Sequence, residues 1–170
     1  MNNLYAVPVS CPKSTRNMAW VDGNSIGLGC LGFSKRAGYR SHSPYVTKMC
    51  KKAHSKAHLV EIYNEKQVRF MMSVKVQKHV ASMMGQSVNG WGWWIGGELK
   101  HGKWYWTHSN KPIKYVPRIG SNGSFDKSYR YLRLYLTKTT AYVEDQSNHN
   151  CQMICQISPL LIRAPREYFI

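Results

Sequence analysis

The sequence predicts an α+β fold in which two helices pack on small antiparallel β-sheets, with a long loop region beside them. Three observations lead there. Five of the six tryptophans fall between Trp91 and Trp106, in Trp91-Gly92-Trp93-Trp94-Ile95-Gly96-Gly97 and Trp104-Tyr105-Trp106. Two separate stretches space their apolar residues as amphipathic helices do. The remaining apolar runs are short and bounded by turn residues, as strands are. At 170 residues, 43% of them hydrophobic, the chain is long enough for one domain around one substantial core.

Along the chain, Asp22-Gly23-Asn24 and Gly27-Leu28-Gly29 lie between Trp20-Val21 and Cys30-Leu31, turn signals that predict a hairpin within residues 11 to 34. From Pro44 to about Ala57, Val46, Met49 and Ala53 recur at helical spacing, and Lys48, Lys51, Lys52 and Lys56 stand between them. This predicts a helix with a basic face. Leu59-Val60-Glu61-Ile62 predicts a short strand, and Asn64 fits the N-cap of a second helix through Val68, Met71 and Met72 toward Val80 or Met84. The tryptophan block predicts an aromatic strand pair at the packed centre. Each indole brings a large apolar area and one N–H donor, and Gly96-Gly97 lets two backbones approach where a Cβ would obstruct. Residues 115 to 130 hold Pro117, Gly120 and Gly123 among polar residues and predict a long loop. Tyr131 to Leu136 alternates apolar residues with arginine, as a strand does, and residues 146 to 150 form a polar turn before a final strand. The tail from Ser158 shows no clear periodicity.

In this order the segments resemble the C-type lectin-like domain family, above all its secreted arthropod members. Trp94-Ile95-Gly96-Gly97, Gly102-Lys103-Trp104-Tyr105-Trp106 and Ser109-Asn110-Lys111-Pro112-Ile113 are similar to the middle of that domain. Cys50 with Ala57-His58-Leu59-Val60-Glu61-Ile62 and Asn64-Glu65-Lys66-Gln67 resembles its first helix, second strand and start of second helix. Cys30-Leu31-Gly32-Phe33-Ser34 and Met153-Ile154-Cys155-Gln156 are similar to its early and closing strands. The resemblance covers residues 11 to 157, with residues 1 to 10 as an N-terminal extension and 158 to 170 as a tail.

Five cysteines make an odd count, so one is left over from internal pairing. The resemblance implies Cys11 with Cys30 and Cys50 with Cys155. The second bond would close a loop of about a hundred residues, worth roughly 4 to 5 kcal/mol in the chain-entropy treatment. The family's other long-range pair would fall near Tyr131 and near Ser147 or Asn148, and none of these is cysteine. Cys151 is then the leftover thiol, free to join another chain, to exchange with Cys155, or to stay buried. Disulfides imply an oxidising compartment and a secreted protein, whereas Met1 to Val7 has neither the basic start nor the apolar run of a secretory signal. The two observations conflict, and the expectation is a leader outside this chain or an unusual export route. No apolar stretch reaches the roughly eighteen residues needed to span a membrane.

Lysine and arginine number 24 against 8 acids, a formal charge of +16. Such an excess favours polyanionic partners. Besides Lys48, Lys51, Lys52 and Lys56, the basic residues cluster as Lys66, Arg69, Lys75 and Lys78 on or near the second helix and as Lys100, Lys103, Lys111, Lys114 and Arg118 around the aromatic block. Converging on one face, they would bind sulfate or phosphate groups with salt-dependent affinity; taken singly, each reads as a solvated lysine. His54 and His58 stand four apart, a spacing that can chelate zinc. No third ligand is evident, and surface histidines on a lysine-rich helix are the simpler reading. There is no Ser-His-Asp signature, paired-carboxylate pattern, phosphate loop or CxxC, so the sequence points to no enzyme.

Calcium-dependent members of the resembled family hold one ion through a loop flanking a cis-proline and an Asn-Asp pair on a later strand. A hard cation needs six to eight oxygen donors. Here the loop reads Gly120-Ser121-Asn122-Gly123, without the proline or a preceding acid, and the later pair is Glu144-Asp145. Asn122, Glu144 and Asp145 are thus the residual calcium ligands implied by the resemblance, in a site that looks degraded. Asn122-Gly123-Ser124 is also an N-glycosylation sequon, on the same loop.

These readings lead to a secreted, non-enzymatic recognition module resembling lectins of innate immunity or host-modulating secretions. Its expected ligands are anionic glycans or microbial surface polysaccharides, bound through the basic faces without calcium. Two alternatives stand beside it: a calcium-dependent lectin using Asn122, Glu144 and Asp145, and a protein-interaction subunit, disulfide-linked through Cys151 or a homodimer. Nucleic acid is the weakest candidate, because the resemblance argues for an extracellular setting.

Overall fold

The computed structural model describes residues 4–35, 44–85, 92–117, 130–137, 139–146 and 151–163. Strand β1 (Leu4–Val7) pairs antiparallel with β10 (Leu160–Arg163), so both ends of the described chain meet in a two-stranded sheet. Within the tail from Ser158, featureless by periodicity, Leu160–Arg163 takes its structure from this partner. A larger sheet runs β2 (Met18–Gly23), β3 (Gly29–Ser34), β9 (Gln152–Ile157), β5 (Gly92–Lys100), β7 (Tyr131–Leu136) and β8 (Ala141–Gln146). The short β4 (His58–Leu59) also pairs with β9, and β6 (Lys103–Trp106) also pairs with β5. All these pairings are antiparallel except β5 with β9, where Trp93 faces Gln152 and Trp94 faces Met153 in parallel register.

The β2–β3 hairpin forms as its turn residues predict. A short 3₁₀ turn over Asn24–Ile26 closes at Gly27 with φ 75°, a left-handed conformation that glycine adopts without strain. Helix α1 (Pro44–Ala53) follows. The predicted strand at Leu59 to Ile62 is shorter than expected as a paired element. Beyond Leu59 the backbone still bridges neighbours, with Val60 N–H donating to Ile154 and Val60 C=O accepting from Gly96.

The second predicted helix is divided into α2 (Glu65–Met72) and α3 (Val74–Met84). Asn64 caps α2, its side chain accepting from Gln67 N–H. Ser73 makes the break. It sits in extended conformation at φ −61° and ψ 147°, closes α2 through its N–H to Phe70, and starts α3 by accepting from Val76 N–H on its hydroxyl. A serine whose side chain competes for backbone partners interrupts an apolar period that runs through it.

Strand β5 divides the interior because successive side chains leave opposite faces of a sheet. Trp93 and Ile95 enter a core with Phe33, Val60, Met71, Val80, Trp106 and Leu134. Trp94 enters a second core beneath α1 with Trp20, Val46, Cys50, Met153 and Cys155. Trp93, Trp94 and Trp106 are fully buried, which makes the tryptophan segment the centre of packing. Two disulfides, Cys11–Cys30 and Cys50–Cys155, flank the second core, and the latter ties α1 to β9.

Candidate functional site

Helix α1 presents a basic surface. Val46 and Cys50 are buried against the sheet, while Lys48, Lys51 and Lys52 are exposed. Residues three and four apart lie side by side on a helix, so Lys48, Lys51 and Lys52 share a stripe, and Lys56 is exposed in the turn beyond the helix. No acidic residue lies between Pro44 and Val60 to offset them. Lys100 and Lys103 face each other across the β5–β6 hairpin, with Glu98 3.9 Å from Lys100 Nζ. Lys111 lies over the Tyr63 ring at 5.7 Å, and Lys114 is exposed. Lys66, Lys75 and Lys78 are exposed on α2 and α3, whereas Arg69 is paired with Glu65 at 2.8 Å. Arg118 lies outside the described residues.

The residual calcium ligands are not brought together among the described residues. Asn122, with its sequon, and the side chain of Asp145 lie outside them. Glu144 is described, and its Oε2 accepts from Arg133 Nη2 at 2.6 Å and Nε at 3.2 Å. Arg133 is itself 7% exposed and stacks on Tyr135 at 4.8 Å. At Glu144 the guanidinium held against the carboxylate supplies positive charge of the kind a calcium ion would bring. Among the described residues no three His, Cys, Asp or Glu side chains converge on a metal position.

His58 is a correction to the surface-histidine reading. It lies beyond α1 on β4 and is 6% exposed. Its Nδ1 donates to Leu59 C=O at 2.8 Å, which leaves Nε2 to accept from the Ser158 hydroxyl at 2.7 Å. The ring stacks on His108, centroids 3.5 Å apart. Burial, above all, pulls its pKa down to about 4. Both nitrogens are engaged, so His54 and His58 form no zinc pair.

Two arrangements carried no sequence signal. Glu61 is buried, and its Oε2 accepts from the N–H groups of His108 and Ser109, both at 3.0 Å, while Oε1 accepts from the Tyr63 hydroxyl at 2.5 Å. This carboxylate pins the loop after β6 to the chain after β4. Burial, followed by the hydrogen bond to Glu61, pushes the Tyr63 hydroxyl up to about 12. The second arrangement is a cleft whose rim collects Lys52 from α1 with Lys13 and Lys35, residues far from it in the sequence. Cys151 is 1% exposed, with its thiol pKa pushed up by burial. A bond from it to a second chain requires the protein to open first.

No protein-family model matches the chain, and no curated protein matches it. Solved structures do. The C-type lectin domain of mouse dendritic cell inhibitory receptor 2, determined with an N-glycan, is 18% identical, with 88% of this chain and 99% of that chain covered and a TM-score of 0.54. A calcium-independent type II antifreeze protein is 15% identical, with 92% and 100% covered and a TM-score of 0.57. A C-type lectin from Cucumaria echinata is 12% identical, with 92% and 100% covered and a TM-score of 0.56. At these identities the likeness is one of fold, and together with the helices, antiparallel pairings and two disulfides it shows that this chain has the C-type lectin-like fold.

Proposed function

We propose that the chain is a non-enzymatic recognition module that binds anionic glycans or microbial surface polymers through the lysine stripe of α1, without calcium. The observation that carries this reading is the exposed, acid-free run of Lys48, Lys51, Lys52 and Lys56 on a chain of net charge +16. Ammonium groups on one stripe act together on a repeating polyanion and release its counterions, which a single solvated lysine does not do. The Arg133–Glu144 pair supports calcium independence, and the fold does not demand the ion, since a neighbour of the same fold is a calcium-independent antifreeze protein. Two disulfides support an extracellular setting, the compartment in which lectins of innate immunity and host-modulating secretions act. Lys100, Lys103, Lys111 and Lys114 form a secondary basic region, and Asn122 is the proposed glycan acceptor.

Retention on immobilised heparin across a salt gradient tests the reading, with charge-matched cation exchange as control and each run repeated with calcium and with chelator. Elution at higher salt than from the control, unchanged by chelator, is expected. Replacing Lys48, Lys51 and Lys52 by glutamate should bring elution down to the control's salt. Retention equal to the control in the unaltered protein would leave only diffuse charge and sink the proposal.

A further inference from the structure

At the edge of the second core, between α1 and the start of β2, lies a cleft of about 670 Å³, within the range of roughly 300–1,000 Å³ typical of small-molecule sites. Its floor is Met18, Trp20, Met49 and Met153. The backbone creates that floor. Gly32 stands opposite Trp20 on β3, and a Cβ there would lie 2.7 Å from Met18 Sδ and 3.0 Å from Trp20 Cη2, so its bareness lets both side chains spread across the strand. Three methionines make a surface that is apolar, polarizable and adaptable in shape. The rim is of opposite character. Lys13, Lys35 and Lys52 are exposed there, no carboxylate among the described residues lines the cleft, and none of the three takes part in the ion pairs of those residues.

From this juxtaposition we propose that the cleft binds one anionic amphiphile, a carboxylate or phosphate headgroup held by Lys13, Lys35 and Lys52 with its apolar chain on the methionine and tryptophan floor. A hydrated polysaccharide would leave that floor without an apolar partner, and an uncharged hydrocarbon would leave the three ammonium groups of the rim without a counter-charge. The ligand class that satisfies both halves carries one charge and one apolar body. The proposal is separate from glycan binding on α1: only Lys52 is shared.

The test uses the full chain and decanoate below its micellar concentration, followed by titration calorimetry. Decanol supplies the chain without the charge, and acetate supplies the charge without the chain. Saturable binding of one decanoate per protein is expected, with decanol and acetate each at least tenfold weaker. Lys52→Glu should weaken decanoate about tenfold, and Lys13→Glu with Lys35→Glu should do the same, all at exposed positions that leave the melting temperature unchanged. Ala53→Phe places a ring at the lip and should block decanoate while heparin retention persists, which separates this site from the α1 stripe. Equal affinity for decanol, equal affinity for acetate, or decanoate binding indifferent to all these variants would overturn the proposal. A bilayer lipid shares this chemistry, so phosphatidylglycerol vesicles form a second arm. Binding to vesicles by Ala53→Phe, with no binding of free decanoate by the unaltered chain, would assign recognition to a charged lipid surface and overturn the cleft.

Discussion

His58 shows how one residue's surroundings set a property of the whole protein. Its ring is packed against His108, with Glu61 and Lys51 as the charges that face it, and burial dominates the depression of its pKa to about 4. In the unfolded chain the same group titrates near 6.5. The unfolded state therefore binds a proton between these two values that the folded state refuses, and stability falls as pH drops from 6.5 toward 4. The loss over that window is about 3 kcal/mol if the whole depression is realised. Urea unfolding across pH 4 to 7, compared with His58→Gln, should show a slope of close to one proton in the unaltered chain that the variant lacks. Parallel profiles would mean that His58 is protonated without penalty. Neighbouring His54 illustrates the limit of spacing as a guide. Four residues apart in sequence, the two part company because α1 ends at Ala53, and His58 is carried into the sheet.

Strand β5 is held by close approach on both sides. A Cβ at Gly96 would meet the Leu59 and Val60 carbonyl oxygens at 3.0 and 3.2 Å, and one at Gly97 would meet Leu132 Cδ1 at 2.5 Å and Cγ at 2.7 Å. The pairing with β7 shifts register between Trp94 and Glu98, around these glycines. Leu132 is fully buried, so Gly97→Ala must displace a packed side chain. The expected cost is about 1–3 kcal/mol, read as a lower denaturant midpoint with unchanged slope, and no loss would show that Leu132 has room to turn. The glycine pair was legible as a place of backbone contact. Ser73 was not legible as a helix break, because Met71, Met72, Val76 and Val80 continue the apolar period on both sides and one serine hydroxyl decides the outcome.

For the whole molecule the Cys50–Cys155 bond is the longest covalent constraint, joining residues 105 apart. It restricts the unfolded chain and clamps α1, the carrier of the lysine stripe and one wall of the cleft, onto β9. Replacing both cysteines by alanine should lower the unfolding free energy by about 4–5 kcal/mol and weaken heparin retention and decanoate binding together, since both depend on where α1 sits. Equilibrium unfolding in urea measures the first effect. A loss below about 1 kcal/mol would mean that core packing alone seats the helix.

The order and type of most elements, the N-cap at Asn64, the burial of Trp93, Trp94 and Trp106 and the basic face of α1 were readable along the chain. These are local properties: side-chain period, turn residues and charge between near neighbours act over a few positions and leave their pattern in the sequence. The Arg133–Glu144 pair, the burial of His58, the Glu61 clamp and the gathering of Lys13, Lys35 and Lys52 around one cleft were not readable. Each depends on distant residues meeting through strand register, and register is set by packing of the whole sheet, which no short window of sequence contains.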